Sequence, residues 1–131
     1  MNRVPRVFVY GSLLRGLGNH PQLAGARFLG EAETTGGFAL YDLGPFPAMV
    51  AEGNGFVRGE LFDVDEGMLR RLDAFEGCPH LYVRTAIRPA AGGLADAYLQ
   101  RSTQVRGALR IESGDWRQHY ATRDSARRTK L

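Results

Sequence analysis

The chain has 131 residues, 44% hydrophobic and 24% charged. That suits one domain with a real core and one pocket, and excludes a collagen-like repeat, a coiled coil or a disordered chain. The net charge of +3 resides in the last ten residues, where Arg123, Arg127, Arg128 and Lys130 stand against Asp124, and residues 1–121 balance at 13 basic and 13 acidic side chains. The basicity therefore belongs to a tail, and no basic stripe interleaved with aromatics points to nucleic acid.

Val7-Phe8-Val9-Tyr10 is a continuous apolar run of strand type, ended by Gly11-Ser12. It is far too short for a signal h-region or a membrane span, so a cytoplasmic location is expected. A glycine-punctuated loop, Leu13 to Asn19, follows, and Pro21 opens a short helix through Leu23-Ala24. Ala26 to Glu33 and Gly37 to Asp42 read as strands separated by the Gly36-Gly37 turn. The proline-braced stretch Gly44 to Val50 leads into another short strand, and Gly53-Asn54-Gly55 reads as a hairpin turn before a strand from Phe56 to Val64. Asp65 caps a helix running to Phe75 or Glu76. Tyr82 to Arg88 and Ala95 to Leu99 are the last strands, with Gly92-Gly93 between them. Beyond Arg101 the pattern fades into a short segment around Asp115-Trp116-Arg117.

Short strands linked by turns, with one clear helix, do not make βαβ units. The expected class is α+β: a small mixed, mostly antiparallel curved sheet or barrel with flanking helices. Residues 1–121 form its single domain, and residues 122–131 are expected to be a disordered tail.

The helix contains a residue out of pattern. At about 100° per residue, Met68, Leu69, Leu72 and Phe75 define an apolar arc, and Glu76 falls inside it. A carboxylate directed at the core from a helix end is neutral, paired or lining a cavity. Burial and the negative end of the helix dipole both raise its pKa, which suits proton transfer. The alternative is a terminal Glu that bends into water or pairs with an arginine. The Tyr10-Gly11-Ser12-Leu13 turn is the second candidate, because Gly11 permits close approach and successive amides there can converge on an anion or a carbonyl oxygen.

Rival constellations are weaker. Cys78 and His80 are neighbours in sequence, which is not dyad geometry. Tyr-Gly-Ser-Leu is not the G-x-S-x-G elbow that would make Ser12 a nucleophile. The lone Cys78 excludes an intrachain disulfide and a cysteine-cluster metal site, and His20, His80 and His119 show no metal-ligand spacing.

Four segments taken together, Val7 to Gly16, Val57 to Asp65, Leu72 to Pro79 and Leu81 to Thr85, resemble the γ-glutamylcyclotransferase-like (AIG2-like) superfamily, most nearly its γ-glutamylaminecyclotransferase branch. The likeness spans residues 6–100 and fades after Arg101. It implies a small mixed α+β barrel with a cavity at one end and no metal or organic cofactor. It implies that Tyr10, Gly11, Ser12 and Leu13 hold the γ-glutamyl group of a small γ-glutamyl amine. It also implies that Glu76 is the general acid/base in release of 5-oxoproline, and Tyr82 is expected at the cavity wall. A non-catalytic ligand-binding domain and an amidohydrolase releasing glutamate are the alternatives. Gly44 to Ala48 and Arg101 to Tyr120 are the segments expected to choose the leaving amine, with Trp116 and Tyr120 expected to fold back over the cavity.

Overall fold

A computed structural model describes residues 4–129, with side chains described through Asp124. In chain order the strands are β1 (Arg6–Val9), β2 (Arg27–Glu33), β3 (Phe38–Asp42), β4 (Pro47–Gly55), β5 (Arg58–Asp63), β6 (Val83–Ile87), β7 (Ala95–Leu99) and β8 (Leu109–Arg110). Helix α1 (Glu66–Phe75) joins β5 to β6, helix α2 (Trp116–Thr129) ends the described chain, and 3-10 turns occupy His20–Leu23 and Ser102–Val105. All eight strands join one mixed sheet in the order β2-β5-β1-β7-β4-β3-β8, with β6 on the other edge of β7. The sheet is not a closed barrel, and apart from the parallel β1–β7 and β4–β7 contacts its pairings are antiparallel.

The fold's main irregularity positions the site. β6 occupies one edge of β7, so β1 and β4 meet the other edge end to end, Val7 opposite Asp96 and Met49 opposite Leu99. Where the two strands part, the ladder cannot continue, and the Tyr10 side chain takes over its hydrogen bonding. Its hydroxyl donates to the Tyr98 carbonyl and accepts the Met49 N–H at 3.1 Å. Tyr10 is thus buried as a stitch across the split.

α1 begins where expected, with the Asp65 carboxylate accepting the Met68 N–H at 2.7 Å. Met68, Leu69 and Leu72 bury its apolar face, but Phe75, expected to join them, is 40% exposed. The helix ends in a Schellman motif: Gly77 N–H bonds to Ala74 O and Cys78 N–H to Asp73 O, with Gly77 at φ +66°. Glu76 is the last residue in helical geometry, its N–H still bonded to Leu72 O at 2.8 Å.

One expectation fails here. Gly53-Asn54-Gly55 is not a hairpin turn: it lies within β4, where the register with β3 jumps from Ala39–Val50 to Phe38–Gly55, so the glycines serve a bulge. β5 pairs with β1 and β2 instead of β4. Across residue 121, the expected end of the domain, α2 runs to Thr129, and Lys130 and Leu131 of the expected tail lie outside the described residues. Asp115 caps α2 by accepting the Gln118 N–H at 3.1 Å. No helix among the described residues is long and apolar enough to cross a membrane.

Candidate active site

A cavity of about 160 Å³ opens where β1 and β4 diverge. Its inner end is made by the end of β1 and the loop after it, from Phe8 to Leu13, with Tyr98 of β7. Pro47 and Tyr82 wall it, and Phe46, Phe75, Leu81 and Asn19 surround its mouth. Glu76 lines the wall between these ends.

The Glu76 carboxyl makes no hydrogen bond or ion pair among the described residues, and burial raises its pKa from 4.5 to about 7. The sequence-level alternative of a terminal Glu paired with an arginine therefore does not hold. The nearest acidic neighbour on α1 behaves differently: Asp73 accepts the Tyr98 hydroxyl at 2.8 Å and faces Arg84 Nε at 3.3 Å.

Across the cavity, the loop after β1 is pinned by its carbonyls. Leu14 N–H bonds to Gly11 O, Asn19 N–H to Ser12 O, and His20 Nδ1 lies 2.9 Å from Leu13 O. Among the described residues, the amides of Gly11, Ser12 and Leu13 take no part in these bonds. Gly11 is needed for a different close approach from the one expected of a ligand: a Cβ there would stand 2.7 Å from Pro47 Cγ. The missing side chain lets the loop close against β4. The Ser12 hydroxyl accepts from Asn19 Nδ2 at 2.8 Å and is hydrogen-bonded to no histidine among the described residues, so the histidine-activated arrangement of a serine nucleophile is absent there.

The hydroxyls of the three cavity tyrosines, Tyr10, Tyr82 and Tyr98, are engaged. Tyr82 lines the cavity while its hydroxyl donates to Pro47 O at 2.9 Å. Burial raises the pKa of Tyr10, Tyr82 and Tyr98, so all three stay protonated. Cys78 is half-buried with its thiol pushed up by burial, and no hydrogen bond joins it to the exposed His80 among the described residues. That surroundings suits an inert thiol. Among the described residues no group of three or more His, Cys, Asp or Glu could hold a metal ion.

Sequence reasoning missed Phe8, Val9, Asn19, Phe75, Leu81 and Tyr98 as lining residues. Of the segments expected to choose the leaving amine, Gly44 to Ala48 contributes Phe46 and Pro47 to the lining, and among the described residues no lining residue lies beyond Tyr98. Trp116 is buried and is not among the residues lining the cavity; its ring packs at a tilt against those of His119 and Tyr120. α2 acts at one remove: His119 Nε2 and Arg123 meet the Asp42 carboxylate at 2.8 and 3.0 Å, and Arg123 also donates to Gly44 O at 2.6 Å. Burial pushes the Asp42 carboxyl up, but hydrogen bonds from His119 and the Gly44 N–H and the nearby Arg123 outweigh it, leaving the pKa below its ordinary value. α2 thereby braces the start of the segment that carries Phe46 and Pro47.

A model of the family described as gamma-glutamyl cyclotransferase, AIG2-like, matches residues 7–118. The chain belongs to this family. It is 44% identical over 110 residues to a Vibrio cholerae protein whose name, gamma-glutamylcyclotransferase, is itself provisional, covering 84% of this chain and 93% of that one. It is 39% identical over 106 residues to the gamma-glutamylaminecyclotransferase of Rattus norvegicus, covering 70% of this chain and 71% of the relative. The crystal structure of an AIG2-like protein from Mus musculus superposes with a TM-score of 0.75 at 31% identity, covering 87% of this chain and 90% of that one.

Proposed function

We propose that this member of the family is a γ-glutamyl amine cyclotransferase that releases 5-oxoproline, with Glu76 as its proton-transfer group. The observation that carries the reading is one unpaired, half-buried carboxyl facing a loop with unengaged amides across a small cavity. The names of its relatives favour the same reaction class.

The chemistry is an intramolecular displacement. The substrate's α-nitrogen forms a bond to its own γ-carbonyl carbon, and the bond from that carbon to the leaving nitrogen breaks. One proton leaves the α-nitrogen and one arrives on the leaving amine, so a single carboxyl that accepts and returns a proton balances the step. A group with pKa about 7 is poised for both transfers near neutrality. The amides of Gly11, Ser12 and Leu13 would stabilise the carbonyl oxygen as charge develops, and the cavity would hold the folded-back conformer.

Product analysis tests the reading. Incubation with a panel of γ-glutamyl amides should release 5-oxoproline and one equivalent of amine. Glutamate as the product would indicate an amidohydrolase using water. Binding of 5-oxoproline with no turnover of any amide would indicate a non-catalytic binding domain.

A further inference from the structure

The two ends of the cavity differ in kind. Tyr10, Leu13 and Tyr98 on its inner side are buried, whereas Phe75 and Leu81 are 40% and 45% exposed. These two side chains flank the Schellman turn, with Leu81 Cβ only 3.2 Å from where a Gly77 Cβ would stand. Phe46 lines the same cavity, its ring centroid 6.3 Å from that of Tyr82. Scattered apolar side chains on a surface need no explanation, but three lining one cavity give it an apolar wall. Phe75 also abandons the apolar face of α1 that its position in the helix would give it.

The inference rests on the cyclotransferase reading, which fixes the direction of the substrate. The γ-glutamyl part is polar and folds on itself at the amide-lined inner end. The scissile bond then lies beside Glu76, and whatever is attached to the leaving nitrogen projects past Glu76 to the mouth. Phe75, Leu81 and Phe46 line the same cavity as Glu76, so these are the side chains that substituent would meet. We infer that this wall is a leaving-group subsite for uncharged, apolar amines of arylalkyl or branched-alkyl type. A carboxylate on the leaving group would instead sit beside apolar side chains and Glu76, where desolvation and like charge both disfavour it.

The test compares kcat/KM for γ-glutamyl benzylamide, γ-glutamyl methylamide and γ-glutamylalanine, followed by 5-oxoproline release. The benzylamide should exceed the methylamide by on the order of tenfold, mostly through KM, with γ-glutamylalanine below both. Phe75→Lys, at a part-exposed position, should invert the benzylamide-to-γ-glutamylalanine order, and Leu81→Lys provides the same test if that variant fails to fold. Equal rates across the panel, or a preference for γ-glutamylalanine, would overturn the subsite while leaving the cyclotransferase reading intact. Absence of 5-oxoproline from every member would overturn that reading and the subsite with it.

Discussion

Two glutamates turn inward in this molecule, in opposite surroundings. Glu60, on β5, is 2% exposed, and both its carboxylate oxygens are used: Oε1 accepts the Arg15 N–H at 2.9 Å, and Oε2 meets Arg15 Nε and the Arg117 guanidinium at 3.1 Å each. Arg117 also donates to Arg15 O at 2.8 Å, so this cluster clamps the far end of the loop after β1 to α2. Glu76 is less deeply buried and has no such partner among the described residues. Burial alone does not mark a reactive carboxylate. The difference lies in whether its lone pairs are committed: those of Glu60 are, whereas burial without a partner drives the Glu76 carboxyl toward neutrality.

Substituting each glutamate sharpens the contrast, and the largest effect is expected at Glu76. Glu76→Gln keeps the size and polarity but cannot accept a proton, so turnover should fall on the order of 10²-fold or more with 5-oxoproline binding retained. In the wild type, kcat should respond to a group titrating at about pH 7, and the variant should lack that response. Stability supplies an independent check. The folded state keeps the Glu76 proton up to about pH 7, whereas the unfolded chain releases it at about 4.5, so the wild type loses stability as pH rises through that window. Glu76→Gln should therefore be the more stable protein at pH 8, by about 1–3 kcal/mol, with the difference vanishing at pH 4. Normal turnover in a folded Gln variant sinks the mechanism.

Glu60→Ala should act in the reverse sense, costing stability above all. It strands the Arg15 N–H and two guanidiniums, but both arginine side chains are 46% exposed and can turn to water. The expected loss is therefore about 2–3 kcal/mol by urea denaturation, short of what a fully enclosed pair would cost. Because the clamp ends on the loop, KM should rise more than kcat falls. An unchanged denaturation midpoint would show that the cluster contributes only geometry.

How legible were these two sites in the sequence? Glu76 was visible because α1 is regular, and a carboxylate inside a helical apolar arc stands out. Glu60 carried an equal signal that was overlooked: in β5 it shares a face with the buried Phe62 and Val64, two and four residues on. The cavity's other walls were not legible, because β4 meets β7 across a parallel crossover that no local pattern encodes. α2 escaped for a different reason. Its amphipathic pattern is weak and rich in charge, although Asp115 followed three residues later by Gln118 is a start signal. A count of charge places Arg123 in a tail and carries no sign of its pairing with Asp42.

Gly11→Val comes next in size. Its Cβ would be driven to about the 2.7 Å now separating that position from Pro47 Cγ, forcing the loop and β4 apart. Affinity for 5-oxoproline should drop about tenfold by titration calorimetry, consistent with the cost of an overpacked contact. Undiminished affinity would mean the ligand does not depend on the seam between them. A smaller, several-fold loss is expected from Arg123→Ala, and from truncation after Ala121, because each removes the Arg123 guanidinium from Asp42 and the Gly44 carbonyl at the start of the Phe46-Pro47 segment, leaving His119 on Asp42. If truncation left affinity untouched, α2 would be a covering helix with no hold on the site.

Ser12→Ala should do least, and that makes it informative. Ser12 sits beside the cavity in the loop nearest the expected substrate, where a hydroxyl invites a nucleophilic role. Its Oγ, however, accepts from Asn19 at 2.8 Å, and His20 is directed at Leu13 O. With no histidine hydrogen-bonded to it among the described residues, the hydroxyl would remain a poor nucleophile, and an intramolecular attack by the substrate's own amine needs no protein nucleophile. Losing the Asn19 bond at a half-buried site should cost about 1 kcal/mol of stability. Turnover and 5-oxoproline affinity should stay within about two- to three-fold of wild type, since the interactions assigned to the loop come from backbone amides that alanine preserves. A drop of 10²-fold or more, or mass-spectrometric capture of a γ-glutamyl ester on Ser12, would move the chemistry from Glu76-assisted cyclisation to covalent catalysis by the loop.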